Sequence, residues 1–221
     1  MHLPNGIRLT QSTRRYFFRT AATATFASAS VIEAAVADSD INVFGPRTGY
    51  SPQIGTLVSE MTWMRHAVLS ATKGMTQEQL DFLLDNKANR IGALILHLAA
   101  TEKLYQLATF ENVPLDSLFT SAAFKDWAAP MNLGDAARQS IKGHDLDYYL
   151  TLLREGREKT LAEFRKRDDA WLMAVDKNWP WGPTNNLCKW FHVCEHESHH
   201  AGQISLLKSR VPGAKSEALQ D

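Results

Sequence analysis

The chain has 221 residues, 44% of them hydrophobic and 22% charged, and its 24 basic and 24 acidic side chains cancel to a formal net charge of zero. Those proportions suit one ordinary globular domain or two small ones. The charge balance gives no electrostatic footprint for nucleic acid, and no apolar run reaches the roughly 18–20 residues that a membrane span requires.

Residues 1–37 differ from the rest of the chain, with four arginines, a single acid (Glu33) and a run of Ala, Thr and Ser. The stretch TRRYFFR, Thr13 to Arg19, resembles the twin-arginine export signal, with Phe18 and Arg19 standing where that pattern has Leu and Lys. A mildly apolar segment begins at Ala21, and Ala35-Val36-Ala37 supplies a small-x-small cleavage site. The expectation is therefore a signal peptide over 1–37, the twin-arginine export machinery as a partner, and an exported, periplasmic domain over 38–221. If the segment is only a basic tail, the protein stays in the cytoplasm.

After an irregular entry containing Pro46, Gly49 and Pro52, the residues Ile54, Leu57, Met61, Met64 and Val68 recur at spacings of three and four, the stripe of a helix facing a core. Lys73-Gly74 ends it, and Thr76 opens a short helical turn. A second long helix is expected from about Asn89 to Phe110. A third runs from Asp145 to about Lys166, with Leu146, Leu150, Leu153, Leu161 and Phe164 on its inner side. The fourth starts near Thr184 or Asn185, both good caps after Pro183, and ends before Val211-Pro212-Gly213. No segment alternates as a strand would. The connection over 111–144 is too long for a bare loop, so short helices are expected within it, packed outside the bundle. The fold class is all-α, an up-down-type four-helix bundle. Cys188 and Cys194 lie six residues apart on one helix, a rise of about 9 Å, which is too far for a disulfide.

The stretch HVCEHESHH places His192, His196, His199 and His200 within nine positions. Helical residues turn by about 100° each, so with His196 at zero, His200 falls at about +40°, His192 at about −40° and His199 at about −60°. Val193 and Leu207 share that arc, which turns it at least partly inward, and inward imidazoles without partners are costly to bury. A cation removes the cost, and His196 with His200, one turn apart, can grip one ion. His192 with His196 has the same spacing. A third ligand is available in His97, which sits among Ala93, Ala100, Thr101 and Leu104 on the second long helix. His66 reads as a surface residue and His144 as a loop residue. Glu195 and Glu197 fall at about −100° and +100°, off the histidine face, so no general base accompanies the trio. Trp179-Pro-Trp-Gly-Pro183 precedes the fourth helix either as core or as the lining of a pocket mouth.

The segments IGALILHLAATE, GHDLDYYL (opening the third helix) and HVCEHESHHAGQI, in this order and spacing, resemble the DinB-like (YfiT-like) family of four-helix-bundle metalloproteins over roughly residues 54–210. The resemblance implies a metal site made from His97, His196 and His200, the last just before Gly202-Gln203. It implies one divalent ion (zinc, nickel, manganese or iron) and a small-molecule substrate or thiol. Three neutral nitrogen ligands with open positions describe a catalytic rather than a closed site. The activity is then that of a metal-dependent hydrolase or a thiol S-transferase; the alternative is a non-catalytic bundle that holds the metal or a small ligand. Export sits less easily with thiol transfer, since small thiol cofactors are mainly intracellular. His199 and His192 are candidates for a catalytic role, and a homodimer is compatible with the reading.

Overall fold

The computed structural model describes residues 41–214, so the expected signal peptide over 1–37 lies outside the described residues. Helix α1 spans Pro52–Thr72, α2 Gln77–Leu80 and α3 Ile91–Tyr105, and a π-helical turn over Gln106–Phe110 continues α3. The next connection carries α4 (Leu115–Leu118), a 3-10 turn (Lys125–Trp127), α5 (Ala128–Asn132) and α6 (Gly134–Ser140). Then come α7 (Leu146–Phe164), α8 (Asp169–Met173), two paired dipeptide strands, β1 (Val175–Asp176) and β2 (Thr184–Asn185), and α9 (Asn186–Lys208). The all-α reading stands; the antiparallel β1–β2 pairing was not expected, because two residues are too few for alternation to show. Among the described residues no helix is long and apolar enough to cross a membrane.

Local chemistry explains where the long helices start. Asn185 accepts a hydrogen bond from the Cys188 amide at the head of α9, and Asp145 does the same for Tyr148 at the head of α7. Thr76 and Gln79 form a capping box on α2. The N-terminus of α1 has no cap from its own Ser51. Instead the Asp169 carboxylate, from α8, accepts from the Gln53 and Ile54 amides at 3.0 and 3.3 Å and from the Ser51 hydroxyl at 2.6 Å. A negative charge at a helix N-terminus is favourable as well as directional.

Side-chain pairings give the helix directions. His97 of α3 meets His196 and His200 of α9 while Tyr105 meets His192, so α3 and α9 run antiparallel. Gly92 lies at Tyr149 and Gln106 at Gly156 and Thr160, so α3 and α7 run parallel. Arg65 reaches the Leu153 carbonyl and Arg157 the Met61 carbonyl, so α1 and α7 are antiparallel. The order is up-down-down-up, and the long 111–144 connection is what makes it so, because it returns the chain to the end at which α3 began. That connection is not packed only on the outside. It buries Leu118, Phe124, Ala137 and Ile141, and its Pro130 carbonyl reaches the interior. Close approach of α3 to α7 needs Gly92, where a Cβ would stand 2.6 Å from the Tyr149 ring.

The core has two parts. One, largely aliphatic, gathers Val68, Leu80, Ile91, Leu94, Ile204 and Leu207 around Tyr149. The other, richly aromatic, packs Phe110 and Phe164 on the fully buried Trp190. Between them each long helix contributes one buried charge: Arg65 follows Met61 and precedes Val68, Glu102 separates Ala99 from Leu104, Arg157 separates Leu153 from Phe164, and Glu197 separates Cys194 from Ala201.

Candidate metal centre

Helix α3 is the central element: every residue in it except Lys103 is buried. His97 therefore enters the interior because its whole helix does. Helix α9 crosses it with His196 and His200 one turn apart, and the three rings converge. His97 Nε2 lies 2.8 Å from His196 Nε2, and His200 Nε2 lies 3.1 Å from the same atom. The ligand atoms of all three lie within 4.8 Å of one another.

The outer nitrogens decide what those contacts are. His97 Nδ1 is 3.0 Å from the Pro130 carbonyl, and His200 Nδ1 is 2.9 Å from Gln203 Oε1. Both partners only accept, so both Nδ1 atoms carry the hydrogen, and both Nε2 atoms present lone pairs inward. Both face His196 Nε2, which as a neutral ring carries at most one hydrogen to share between two acceptors, so the set is short of positive charge at its centre unless a cation lies there. In a tetrahedral site with bonds of about 2.0–2.1 Å, the nitrogens stand roughly 3.3–3.4 Å apart, so the donor set needs only a slight expansion to fit a divalent ion. Protons are poor substitutes here. Burial pushes His196 down to about 3 and His200 down to about 4, with the facing imidazoles adding to the effect. Burial also lowers His97, against the opposing pull of the backbone at Pro130 and Met131.

The other candidates separate. His192 is half-buried, with Nδ1 2.8 Å from the Tyr105 hydroxyl and its ring beside that of His196 at 5.1 Å. Burial raises the Tyr105 phenol well above its ordinary value, so it keeps its proton. The phenol is then the donor, and the His192 ring hydrogen sits on Nε2, on the side of Glu195 Oε1 3.9 Å away. His192, Glu195 and His196 form a second set of potential ligand atoms, which shares His196 with the first. His199 is exposed and accepts from Gln203 Nε2 at 3.0 Å, so one amide orients two imidazoles. His66 and His144 are exposed and take no part in either set, and His144 stacks on Tyr148. Of the two tryptophans before α9, Trp179 is core and Trp181 is exposed, with its edge on His192 at 5.1 Å. Both cysteines are free, Cys188 exposed and Cys194 buried, the latter pushed up to about 12 by burial. A groove of about 530 Å³ between the N-terminal halves of α1 and α9, lined by Leu57, Glu60, Cys188 and Phe191, contains none of the histidines.

Comparison with known families decides the lineage: the model of the mycothiol S-transferase family, a DinB/YfiT-like family, matches residues 56–213. The chain belongs to the mycothiol S-transferase family. The match takes in all four long helices but for the first turn of α1, and it contains all three converging histidines. No curated protein matched the chain.

Three contributors to the site are absent from the sequence reading. The Pro130 carbonyl is a backbone acceptor and leaves no mark in the residue pattern. Tyr105 lies eight residues after His97, about two turns along α3 but about 80° around it, so its spacing gave only a weak signal. The third is the buried charge layer, of which Glu197 adjoins His196.

Proposed function

We propose that this protein is a divalent-metal-dependent thiol S-transferase, acting with a low-molecular-weight thiol on a small electrophilic substrate. The observation that carries the reading is the convergence of three imidazoles, two buried and one half-buried, whose Nε2 atoms meet at one centre. Membership of a family named for thiol transfer supplies the reaction class. His97, His196 and His200 hold the ion, with the Pro130 carbonyl and Gln203 fixing two of the rings. A divalent ion at such a centre lowers the pKa of a bound thiol and so supplies a reactive sulfur at neutral pH.

The chain's own residues do the rest. Tyr105 donates to His192 Nδ1 and so keeps the His192 Nε2 hydrogen available to a developing negative charge on the substrate. Trp181, packed on His192, restricts that ring and shields one side of the site. Glu197, the carboxylate next to His196, is engaged by guanidinium groups and does not serve as a base. A thiol ionises far more readily than water, so beside a divalent ion it would release its proton to solvent without a carboxylate base, which favours a sulfur nucleophile over an activated water and places the hydrolase reading second.

The test uses untagged protein with a panel of small thiols and a chromogenic electrophile, and ester and amide substrates in parallel. The reading expects thiol conjugation that is lost with a chelator and restored by one divalent metal. Metal-dependent ester or amide hydrolysis without conjugation would make the protein a hydrolase; metal binding with no turnover on any panel would make it a binding protein.

We also propose export through the twin-arginine route with loss of residues 1–37. N-terminal sequencing of native protein is expected to begin after Ala37, and replacing Arg14 and Arg15 by Lys is expected to hold the protein in the cytoplasm. An intact Met1 in a cytoplasmic fraction would overturn it, and would place the protein where small thiols are abundant.

A further inference from the structure

Arg65, Glu102, Arg157 and Glu197 close a ring of ion pairs at mid-height in the bundle, one from each long helix. Arg65 donates to Glu102 Oε2 at 3.0 Å and through Nε to Glu197 Oε1 at 3.0 Å. Arg157 donates through Nε to Glu102 Oε1 at 2.9 Å and through Nη2 to Glu197 Oε1 at 2.8 Å. Each guanidinium also takes a backbone carbonyl of the other's helix, Leu153 for Arg65 and Met61 for Arg157. The carboxylates are 1% and 2% exposed and the guanidinium side chains 10%.

A buried ring of this kind is a weak source of stability, since well-packed apolar residues of the same volume serve as well or better. Its distinguishing property is direction. Apolar surfaces tolerate repacking, whereas charge-assisted hydrogen bonds at these lengths fix where a helix sits. Here they fix the two helices that carry the histidines. Glu197 adjoins His196 and precedes His200 by three residues. Glu102 follows His97 by five residues, about 7.5 Å along α3. A slip of α9 by one residue would move His196 and His200 by about 1.5 Å along the axis and about 100° around it, enough to scatter the three Nε2 atoms.

We propose that this ring is the positioning device of the histidine centre: it sets the register of α9 against α3 and thereby the convergence of His97, His196 and His200. The proposal rests on the reading of those histidines as a metal site. The two carboxylates do not act equally. Both oxygens of Glu102 are engaged, by Arg65, Arg157 and the Thr160 hydroxyl. Glu197 takes its guanidinium bonds on Oε1 alone, and Oε2 has no hydrogen-bond partner among the described residues. A glutamine at 197 can keep every bond by turning its oxygen to the arginines. A glutamine at 102 must aim its amide hydrogens at a guanidinium.

The deciding experiment replaces the whole ring by apolar residues, Arg65→Met, Glu102→Leu, Arg157→Met and Glu197→Leu together. It reads thermal stability without metal, zinc affinity by competition with a chelating dye, and the visible spectrum of the cobalt(II) form. The expected result is a folded protein at least as stable as wild type whose zinc affinity falls about 10–100-fold, with an altered cobalt spectrum. A folded ring-free protein with wild-type zinc affinity and spectrum overturns the proposal. If that variant does not fold, Glu102→Gln and Glu197→Gln decide, beside Leu80→Ala, a core change remote from the ring. Zinc affinity is expected to fall more in Glu102→Gln than in Glu197→Gln and to stay unchanged in Leu80→Ala. Equal affinities in all three overturn the proposal. Failure of the wild-type chain itself to bind zinc overturns the metal site and the ring together, whereas undiminished binding by ring variants removes the ring alone.

Discussion

Two groups of polar side chains enter the interior between α3 and α9, and they are built on opposite logic. The charge ring pairs unlike groups: two guanidiniums meet two carboxylates, and the Thr160 hydroxyl and two backbone carbonyls join them, leaving Glu197 Oε2 as the one ring carboxylate oxygen without a partner among the described residues. The histidine centre sets like against like, with three imidazoles presenting nitrogen to nitrogen at 2.8 and 3.1 Å. Buried polar groups that satisfy one another are a structural element. Buried groups of one kind that converge are half of an interaction, and the other half comes from outside the chain. The titration directions agree. Burial alone would raise Glu102, but the Arg157 and Arg65 charges outweigh it and hold the carboxyl below its ordinary value. At the histidines burial and the facing rings act together, and all three are lowered.

Breaking the ring at one point gives the largest effect. Arg157→Leu leaves two buried carboxylates facing one guanidinium, and urea denaturation is expected to show a loss of about 3–5 kcal/mol, far beyond what the full apolar replacement loses. Zinc provides the next. At about 100 times its dissociation constant it is expected to stabilise the wild-type protein by about 2.7 kcal/mol, and to have little effect on His97→Ala under the same conditions.

Acid separates the two groups. In the unfolded chain His196 and His200 take up protons as the pH falls through about 6.5, while in the folded metal-free protein they stay neutral until about 3 and 4. The unfolded state therefore binds more protons across that interval, so stability is full above about pH 6.5 and falls progressively towards pH 4. Glu102 acts lower down: its contribution is present above the ordinary glutamate value of about 4.3 and is lost as the pH falls through its depressed folded value. Urea titrations at a series of pH values are expected to show two stages, with the upper one reduced in a His196→Ala, His200→Ala double variant. A single stage below pH 4.5 would contradict the buried, neutral histidines.

The smallest expected effect is that of Tyr105→Phe. Removing one buried hydroxyl and its bond to His192 is worth about 1 kcal/mol, so zinc content is expected to be unchanged while thiol conjugation slows by roughly tenfold or less. Loss of zinc in this variant would mean that His192 is a ligand.

The two groups also differ in how far the sequence disclosed them. The histidines announced themselves because imidazole is uncommon and four of them recur within nine positions at helical spacing. The cap at Asn185, the start of α7 near Asp145 and the end of α1 at Lys73 were legible from local chemistry in the same way. The ring was not, since a charge within a helix ordinarily faces water, and Arg65 and Glu197 find each other across 132 positions. Local hints existed. Arg65 continues the Ile54-Leu57-Met61 stripe to Val68, and Glu102 stands in a helix whose other residues are almost all apolar or small. Helix directions were illegible for a different reason: whether α7 returns parallel to α3 depends on how far the 111–144 connection travels. The Trp179-to-Pro183 segment combined both readings, one tryptophan going to the core and the other to the site.

Zinc content per chain, measured by elemental analysis on untagged wild-type, His200→Ala and His192→Ala proteins dialysed against the same buffered zinc, tests the histidine centre most directly. One zinc is expected in the wild type and in His192→Ala, and none in His200→Ala. Wild-type zinc in His200→Ala would contradict the site, and loss from His192→Ala instead would move it one helical turn along α9.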